Sequence, residues 1–258
     1  MHVVRSVCSA FLMYSRIPMP QVEWKEENRR YALCFFPLIG LVTGGLFLLW
    51  YWFCDRLHIG SLLFAAGAVA IPVMVTGGIH LDGFCDVNDA KACGGTRERM
   101  LMVMSDSHIG AFAAIHLMLY LLLQAGIFSQ VEGIPMAAIC AFSFVQSRAF
   151  SGLAAVTFKN AKGAGTLWSF SKPAQRKITI AAELTFLVVT SAVMVCLDKV
   201  IGSMGVLAGA ASFLYYRIFA YKRFGGITGD LAGYFLQICE LAVAAAAVLS
   251  GLIWRAFV

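Results

Sequence analysis

Long apolar runs separated by short polar segments dominate the pattern of this chain. A helix needs about 20 apolar residues to cross a hydrocarbon core, and several stretches are long enough. We predict membrane spans near residues 31–54, 59–79, 109–131, 133–158, 178–197, 200–220 and 231–254. A shorter apolar segment over residues 7–14, between Arg5 and Arg16, is typical of an interfacial or partly inserted helix. The pattern predicts an all-α integral membrane protein with about seven transmembrane helices in a single polytopic domain, residues 1–258.

The composition supports this class. Hydrophobic residues make up 60% and charged residues 13% of the 258 positions, whereas globular chains have about 45–50% and about 25%. The eight cysteines are scattered, without a C-x-x-C pair or a zinc-like spacing. We therefore exclude soluble, disordered and disulfide-framework proteins, and we expect the cysteines to be small core residues in a reducing compartment.

Positive charge is distributed unevenly over the predicted loops. With the N-terminus placed in the cytoplasm, sixteen of the twenty lysines and arginines lie inside, three lie outside and Arg148 lies within a span. This asymmetry predicts a multi-pass protein of the cell (inner, cytoplasmic) membrane with its N-terminus inside. It also makes three loops cytoplasmic, near residues 80–108, 159–177 and 221–230, where we expect the active-site residues.

Aspartates in the first of these loops form the strongest chemical signal. Asp82, Asp86 and Asp89 are spaced i, i+4 and i+7, which places three carboxylates on one face of a helix. Such carboxylates repel one another unless a cation lies among them, and their hard oxygens favour Mg²⁺ or Mn²⁺ over zinc. A solvated acidic loop is the alternative. His80 either supports the metal ligands or is an ordinary loop residue. Asp106 either belongs to the site or caps the helix that follows it.

The third loop carries a glycine-rich motif that runs into the last span. Gly225 and Gly226 allow a backbone to approach a ligand closely, and the helix that begins near Thr228 and Asp230 offers free N–H groups. The motif therefore suits a phosphate or, through Asp230, a metal ion. The alternative is an ordinary turn in which Thr228 or Asp230 caps the helix.

Basic residues supply two further candidates for anion binding. Arg148, in the fourth predicted span, needs a partner or a watery cavity, so it either clamps a phosphate or neutralises a buried acid such as Glu240. The second cytoplasmic loop contains Lys162, Gly163 and Gly165. It either forms a flexible basic lid over an anion or anchors the chain at the inner membrane surface.

These motifs together resemble those of the cobalamin synthase family, also called adenosylcobinamide-GDP ribazoletransferases. The similarity covers nearly the whole chain, through residues 11–20, 36–40, 77–83, 104–107, 147–148 and 225–230. It implies a Mg²⁺-dependent membrane enzyme of late cobalamin biosynthesis. Such an enzyme joins adenosylcobinamide-GDP to α-ribazole, or to its 5′-phosphate, and releases GMP. The implied partners are these substrates and the lipid bilayer, with a homo-oligomer as an option and no nucleic acid.

The resemblance, together with the chemistry of the motifs, predicts roles for individual residues. The metal ligands would be Asp82, Asp86 and Asp89, and the catalytic group would add His80 and Arg148 to them. The substrate-binding residues would be Asp106, Ser107, Lys162, Gly163, Gly165, Gly225, Gly226, Thr228 and Asp230. The family pattern usually differs at Asn88, Ala90, His108 and Gln237. The aspartates of the pattern are all present, which supports metal binding, whereas the nucleotide contact at position 108 is expected to differ.

Other classes of membrane protein remain as alternatives. A CDP-alcohol phosphotransferase or an aromatic prenyltransferase also acts on a diphosphate, but the first expects D-x-x-D-G where this chain has D-G-x-x-D-x-x-D. An ion-coupled transporter would use Arg148, Glu183 and Glu240 along a path through the membrane. Transport predicts essential charges at mid-membrane, whereas group transfer predicts them at the cytoplasmic rim.

Overall fold

The computed structural model describes residues 2–106 and 108–257. In chain order, its α-helices are α1 (His2–Tyr14), α2 (Glu26–Arg29), α3 (Phe36–Arg56), α4 (Ser61–Thr76), α5 (Ile79–Cys93), α6 (Arg97–Val103), α7 (Ala111–Phe128), α8 (Gly133–Thr157), α9 (Thr166–Ser171), α10 (Arg176–Leu197), α11 (Lys199–Phe224) and α12 (Gly229–Phe257). A 3₁₀ helix (Ala32–Phe35) precedes α3. The all-α prediction is confirmed for the described residues, as is the short apolar helix at the N-terminus.

Five helical segments in the described ranges are long and apolar enough to cross a membrane: α3 with the residues leading into it, α7, α8, α10 and α12. The bent pair α4–α5 is a sixth if it is counted as one span. The remaining predicted span, over 200–220, is part of α11, which has 26 residues. It is less apolar than the others because its last two turns carry Arg217, Lys222 and Arg223. Together the apolar helices indicate a multi-pass membrane protein.

The structure corrects the loop predicted over residues 80–108, because most of it is helical. An angle of 96° separates α4 from α5. Gly77 and Gly78 make this turn with φ values of +66° and +81°, in the left-handed region that glycine adopts at little cost. Arg16 packs over Gly77, where a Cβ atom would collide with the arginine side chain. The turn sets α5 nearly perpendicular to α4.

Two glycines bring α5 and α12 into close contact. Gly83 of α5 lies against the backbone of Asp230, and Gly233 of α12 lies against the backbone of His80. A Cβ atom at Gly83 would collide with α12, and one at Gly233 would press tightly on α5. Behind them α8, most of whose residues are buried, packs against α3, α10 and α12. The start of α12 is therefore held beside the acidic face of α5.

Candidate functional site

The acidic face of α5 forms as the spacing predicts. Asp82 is exposed, and Asp86 and Asp89 are half-buried. Asp230, from the first turn of α12, joins them: the Asp86 carboxyl lies within electrostatic range of Asp82, Asp89, Asp230 and the Lys162 ammonium. Three further carboxylates and one lysine therefore lie near enough to Asp86 to act on its charge, beside the start of α12.

Asp89 differs from the other aspartates because it is bonded to the start of α7. The Gly110 amide donates to its Oδ2 at 2.6 Å, and the Ala113 amide donates to its Oδ1 at 2.8 Å. A carboxylate in this position satisfies free N–H groups and faces the positive end of the helix dipole. Helix capping was the alternative considered for Asp106, but the carboxylate that caps α7 belongs to Asp89.

The arrangement suits a metal ion that is shared with a substrate. Among the described residues, no three His, Cys, Asp or Glu side chains are gathered closely enough to hold a metal by themselves. In the same part of the chain, neither Asp82 nor Asp86 forms an ion pair. Mg²⁺ commonly takes one or two carboxylates and completes its shell with water and substrate phosphates. The donor chemistry of Asp82 and Asp86 fits such a site. The described residues do not provide a complete set of protein ligands for the ion.

A mainly apolar cavity of about 100 Å³ opens beside these acids. Its apolar wall is built by α1, α3, α8, α9, α12 and the 3₁₀ helix, and includes Met13, Tyr14, Leu33, Phe36, Ala155, Leu167, Ala232 and Leu236. Its polar groups are Asp82, His80, Asp230, Ser151 and Thr166. The cavity is too small for a whole corrinoid or nucleotide, so it suits one small group of a substrate.

His80 lies between this cavity and a deeper polar pocket. It is buried in α5, so the loop interpretation is wrong, and its Nε2 atom has no hydrogen-bond partner among the described residues. The deeper pocket is also lined by Gln124, Arg148, Gln237 and Glu240. His80 is therefore the polar side chain that lines both spaces, which keeps it a candidate for accepting a proton.

Arg148 neutralises a buried acid. Its Nη1 atom donates to Glu240 Oε1 at 2.8 Å and to the Phe144 carbonyl at 2.8 Å, and Ser147 Oγ donates to the same carboxylate oxygen at 2.9 Å. Both charged side chains are almost completely buried. The structure therefore shows the ion pair that was one of the two alternatives for Arg148, and its catalytic role as a phosphate clamp stays a prediction. Two of the charges that the transport alternative requires are also engaged with each other.

The segment over 159–177, predicted as a basic lid or a membrane anchor, contains the short helix α9 and lines one side of the cavity. Lys162 Nζ donates to Ser105 Oγ at 2.8 Å, and the ammonium is within electrostatic range of both Asp86 and Asp230. Gly163 and Gly165 adopt φ values of +63° and +94° in the turn that leads into α9. α9 then places Thr166 and Leu167 on the cavity wall. The lid is therefore linked both to the acids and to the cavity.

The glycine-rich motif is used for packing and capping. Gly225 lies against the guanidinium of Arg97, and Gly226 lies against the Lys159 carbonyl, so neither has space for a side chain. Thr228 Oγ1 accepts from the Leu231 amide at 3.2 Å, as a residue that caps a helix does. The structure therefore shows the turn that was the alternative interpretation, while Asp230 lies within electrostatic range of Asp86 and Asp82.

Two substrate-binding candidates, Asp106 and Ser107, come just before α7 in the sequence. Asp106 is exposed, and its Oδ1 atom lies 2.7 Å from His108 Nδ1. This hydrogen bond, with a second from the His108 amide, holds the pKa of Asp106 below its usual value. Ser107 lies outside the described residues.

Sequence reasoning missed Ser151 and Thr166, two polar residues that line the cavity. Ser151 stands three residues after Arg148 on α8, so helical periodicity places both on neighbouring parts of one face. A small polar residue at that spacing within an apolar span was the available signal. Thr166 lacked any such signal, because α9 was predicted as part of a loop.

Comparison with known proteins identifies the family. A family model described as cobalamin-5-phosphate synthase matches residues 6–248. An adenosylcobinamide-GDP ribazoletransferase from Lachnoclostridium phytofermentans is 44% identical over 248 residues, which cover 96% of this chain and 94% of the relative. Proteins of the same name from Clostridium perfringens and Desulfitobacterium hafniense are 31% and 32% identical, over 88% and 92% of this chain and 91% and 94% of their own lengths. No solved structure matches. The chain therefore belongs to the cobalamin-5-phosphate synthase family.

Proposed function

We propose that this protein is an adenosylcobinamide-GDP ribazoletransferase. It joins adenosylcobinamide-GDP to α-ribazole, or to its 5′-phosphate, and releases GMP, which makes adenosylcobalamin or its 5′-phosphate. The observation that carries the proposal is the meeting of Asp82, Asp86 and Asp230 with Lys162 beside a cavity. The names of the relatives support the choice of substrates.

The acidic face is proposed to bind the diphosphate through Mg²⁺. Asp82 and Asp86 would hold the ion, and Asp230 would complete the polar site. When bound, Mg²⁺ supplies charge neutralisation and orientation to the diphosphate, which phosphoryl transfer requires more than covalent catalysis. The resemblance also implies Asp89 as a ligand, but its bonds to α7 support the role of holding α5 in place.

The remaining site residues would accept the proton of the attacking hydroxyl and neutralise charge on the leaving GMP. A ribazole hydroxyl oxygen forms a new bond to the cobinamide-linked phosphorus, and the bond from this phosphorus to the GMP oxygen breaks. His80, which lines the cavity and whose buried Nε2 atom has no hydrogen-bond partner among the described residues, would accept the hydroxyl proton, with an aspartate as the other candidate. Lys162 would neutralise charge that develops on the leaving GMP.

The site is proposed to face the cytoplasm from the inner membrane. The segments predicted to lie inside, including the N-terminal one, hold most of the lysines and arginines. The three predicted inside loops contribute the residues that are grouped at the acidic face.

Incubation of the purified protein with adenosylcobinamide-GDP, α-ribazole and Mg²⁺ tests the activity. We expect release of GMP and formation of an adenosylcobalamin product in equal amounts. A folded sample that forms neither, with α-ribazole or with its 5′-phosphate, would refute the proposed reaction.

A further inference from the structure

Asp82 lines a second space in addition to the cavity, a groove of about 650 Å³. The groove is bounded by α1 and the residues that follow it, by the α4–α5 turn, by α5 and by α7. Pockets for small ligands and cofactors usually measure about 300–1,000 Å³. The groove therefore has the volume that a nucleotide needs, whereas the cavity of about 100 Å³ does not.

Arg16 supplies a positive charge to this groove. It is exposed, and within residues 2–106 and 108–257 its guanidinium forms no ion pair with an acidic side chain. Arg148, by contrast, is buried and paired with Glu240. A guanidinium presents its N–H donors in a planar fork that matches two oxygens of a phosphate. Arg16 is therefore available to an anion that enters the groove.

The chain holds Arg16 over the α4–α5 turn. Its amide donates to the Val75 carbonyl at 2.7 Å, which ties the residues after α1 to the end of α4. Its side chain packs against Gly77, where a Cβ atom would collide with the Cγ and Nε atoms of the arginine. The lack of a side chain at position 77 therefore provides the space that this conformation of Arg16 requires.

The groove combines this arginine with one of the proposed metal ligands. Mg²⁺ that is held by one or two carboxylates takes phosphate oxygens as further ligands. A diphosphate has enough oxygens to contact an ion on Asp82 and a guanidinium at the same time. Lys162 lies within electrostatic range of Asp86 and Asp230 instead. The two cations therefore serve different parts of the acidic site.

We infer that Arg16 binds the diphosphate of adenosylcobinamide-GDP in this groove. The inference rests on the proposed function. It adds to the site a residue that lies outside the three loops in which the active-site residues were expected.

Substitution of Arg16 tests the assignment. In Arg16→Gln we expect the KM for adenosylcobinamide-GDP and the Kd for GDP with Mg²⁺ to rise about tenfold or more, with an unchanged KM for α-ribazole. Arg16→Lys keeps the charge without the planar fork, so it should lie between wild type and Arg16→Gln. Arg56→Gln, exposed at the end of α3, is the matched control and leaves all three constants unchanged. A wild-type KM for adenosylcobinamide-GDP in Arg16→Gln would overturn the inference.

Two neighbouring glycines give a second test that keeps Arg16 in the chain. Gly77 and Gly78 both have positive φ values, so alanine strains the backbone at either position. Only at Gly77 does a Cβ atom meet Arg16, because nothing lies within 4 Å of a Cβ atom at Gly78. Gly77→Ala is therefore expected to raise the KM for adenosylcobinamide-GDP about fivefold or more above that of Gly78→Ala. Equal KM values in the two folded variants would contradict the inference.

Lipid phosphates are another source of the same chemistry, and vesicles separate the two. We expect the effect of Arg16→Gln on the KM to be the same in phosphatidylcholine vesicles with and without phosphatidylglycerol. An effect that requires phosphatidylglycerol would assign Arg16 to a lipid headgroup and overturn the inference. Absence of GMP release from wild-type protein that still binds GDP refutes the proposed function instead, so the two failures are distinguishable.

Discussion

The Gly110 amide donates a hydrogen bond to Asp89 Oδ2 at 2.6 Å, which ties α5 to the start of α7. In the chain, α6 lies between α5 and α7. The bond therefore fixes the position of α5 relative to α7, which the connecting residues do not fix by themselves. It also leaves Asp86 and Asp82, one and two turns earlier, as the carboxylates of this face that are available for a ligand.

Substitution of Asp89 separates anchoring from metal binding. Asp89→Ala is expected to lower the free energy of unfolding by about 1 kcal/mol, as the loss of a helix cap does. Asp89→Asn retains an oxygen acceptor and loses less. Thermal unfolding in detergent measures both. A wild-type stability in Asp89→Ala, with a strongly raised Mg²⁺ requirement, would assign Asp89 to the metal instead of to α7.

The buried pair of Arg148 and Glu240 is expected to behave as a structural unit. Glu240→Leu leaves an unpaired charge inside the protein and is expected to cost about 3–5 kcal/mol. Arg148→Met combined with Glu240→Leu removes both charges and should recover most of that loss, with GMP release retained. Thermal unfolding and the transfer assay report the two effects. A double variant that is stable but inactive would return Arg148 to the catalytic group.

Lys162 is expected to act on the reaction and not on folding. Its side chain is exposed and bonds to Ser105 Oγ, within range of the acidic face. Lys162→Ala should lower kcat about 100-fold without changing the unfolding temperature. Lys177→Ala, in the exposed first turn of α10, is the control. Equal kcat values in the two variants would remove Lys162 from the proposed charge balance.

Membrane sidedness is open to direct labelling. In a background with Cys196→Ser, which removes the exposed native cysteine, single cysteines replace Arg99 in α6 and Lys199 at the start of α11. Position 199 is expected to react with a membrane-impermeant maleimide in intact cells, and position 99 only after lysis. The reverse pattern would place the acidic face outside the cytoplasm.

The sequence was most informative where local periodicity determines the geometry. The spacing of Asp82, Asp86 and Asp89 predicted a shared helical face, and the apolar runs predicted most of the helices. The acidic segment was nevertheless assigned to a loop, because its many polar residues hide the helix that follows the Gly77–Gly78 turn. The local pattern therefore predicted that the three aspartates share a face, but it did not predict the full helix α5 that carries them.

Contacts between distant parts of the chain could not be derived in the same way. The bond from Gly110 to Asp89 and the approach of Asp230 to α5 depend on how helices pack, and no periodic pattern records them. Arg148 shows the intermediate case: a buried arginine requires a partner, so Glu240 was among the alternatives, but the structure was needed to choose it. The cavity is assembled from several helices and had no sequence signal.

The dependence of GMP release on Mg²⁺ in wild type, Asp82→Asn and Asp86→Asn is the most direct test of the central claim. Asp55→Asn, an exposed substitution at the far end of α3, serves as the control. We predict that chelation abolishes release in wild type, that added Mg²⁺ restores it, and that either site variant loses about 100-fold in kcat/KM while remaining folded. Release that continues at the wild-type rate in chelator, or that is equal in all four proteins, would contradict a metal-dependent site on α5.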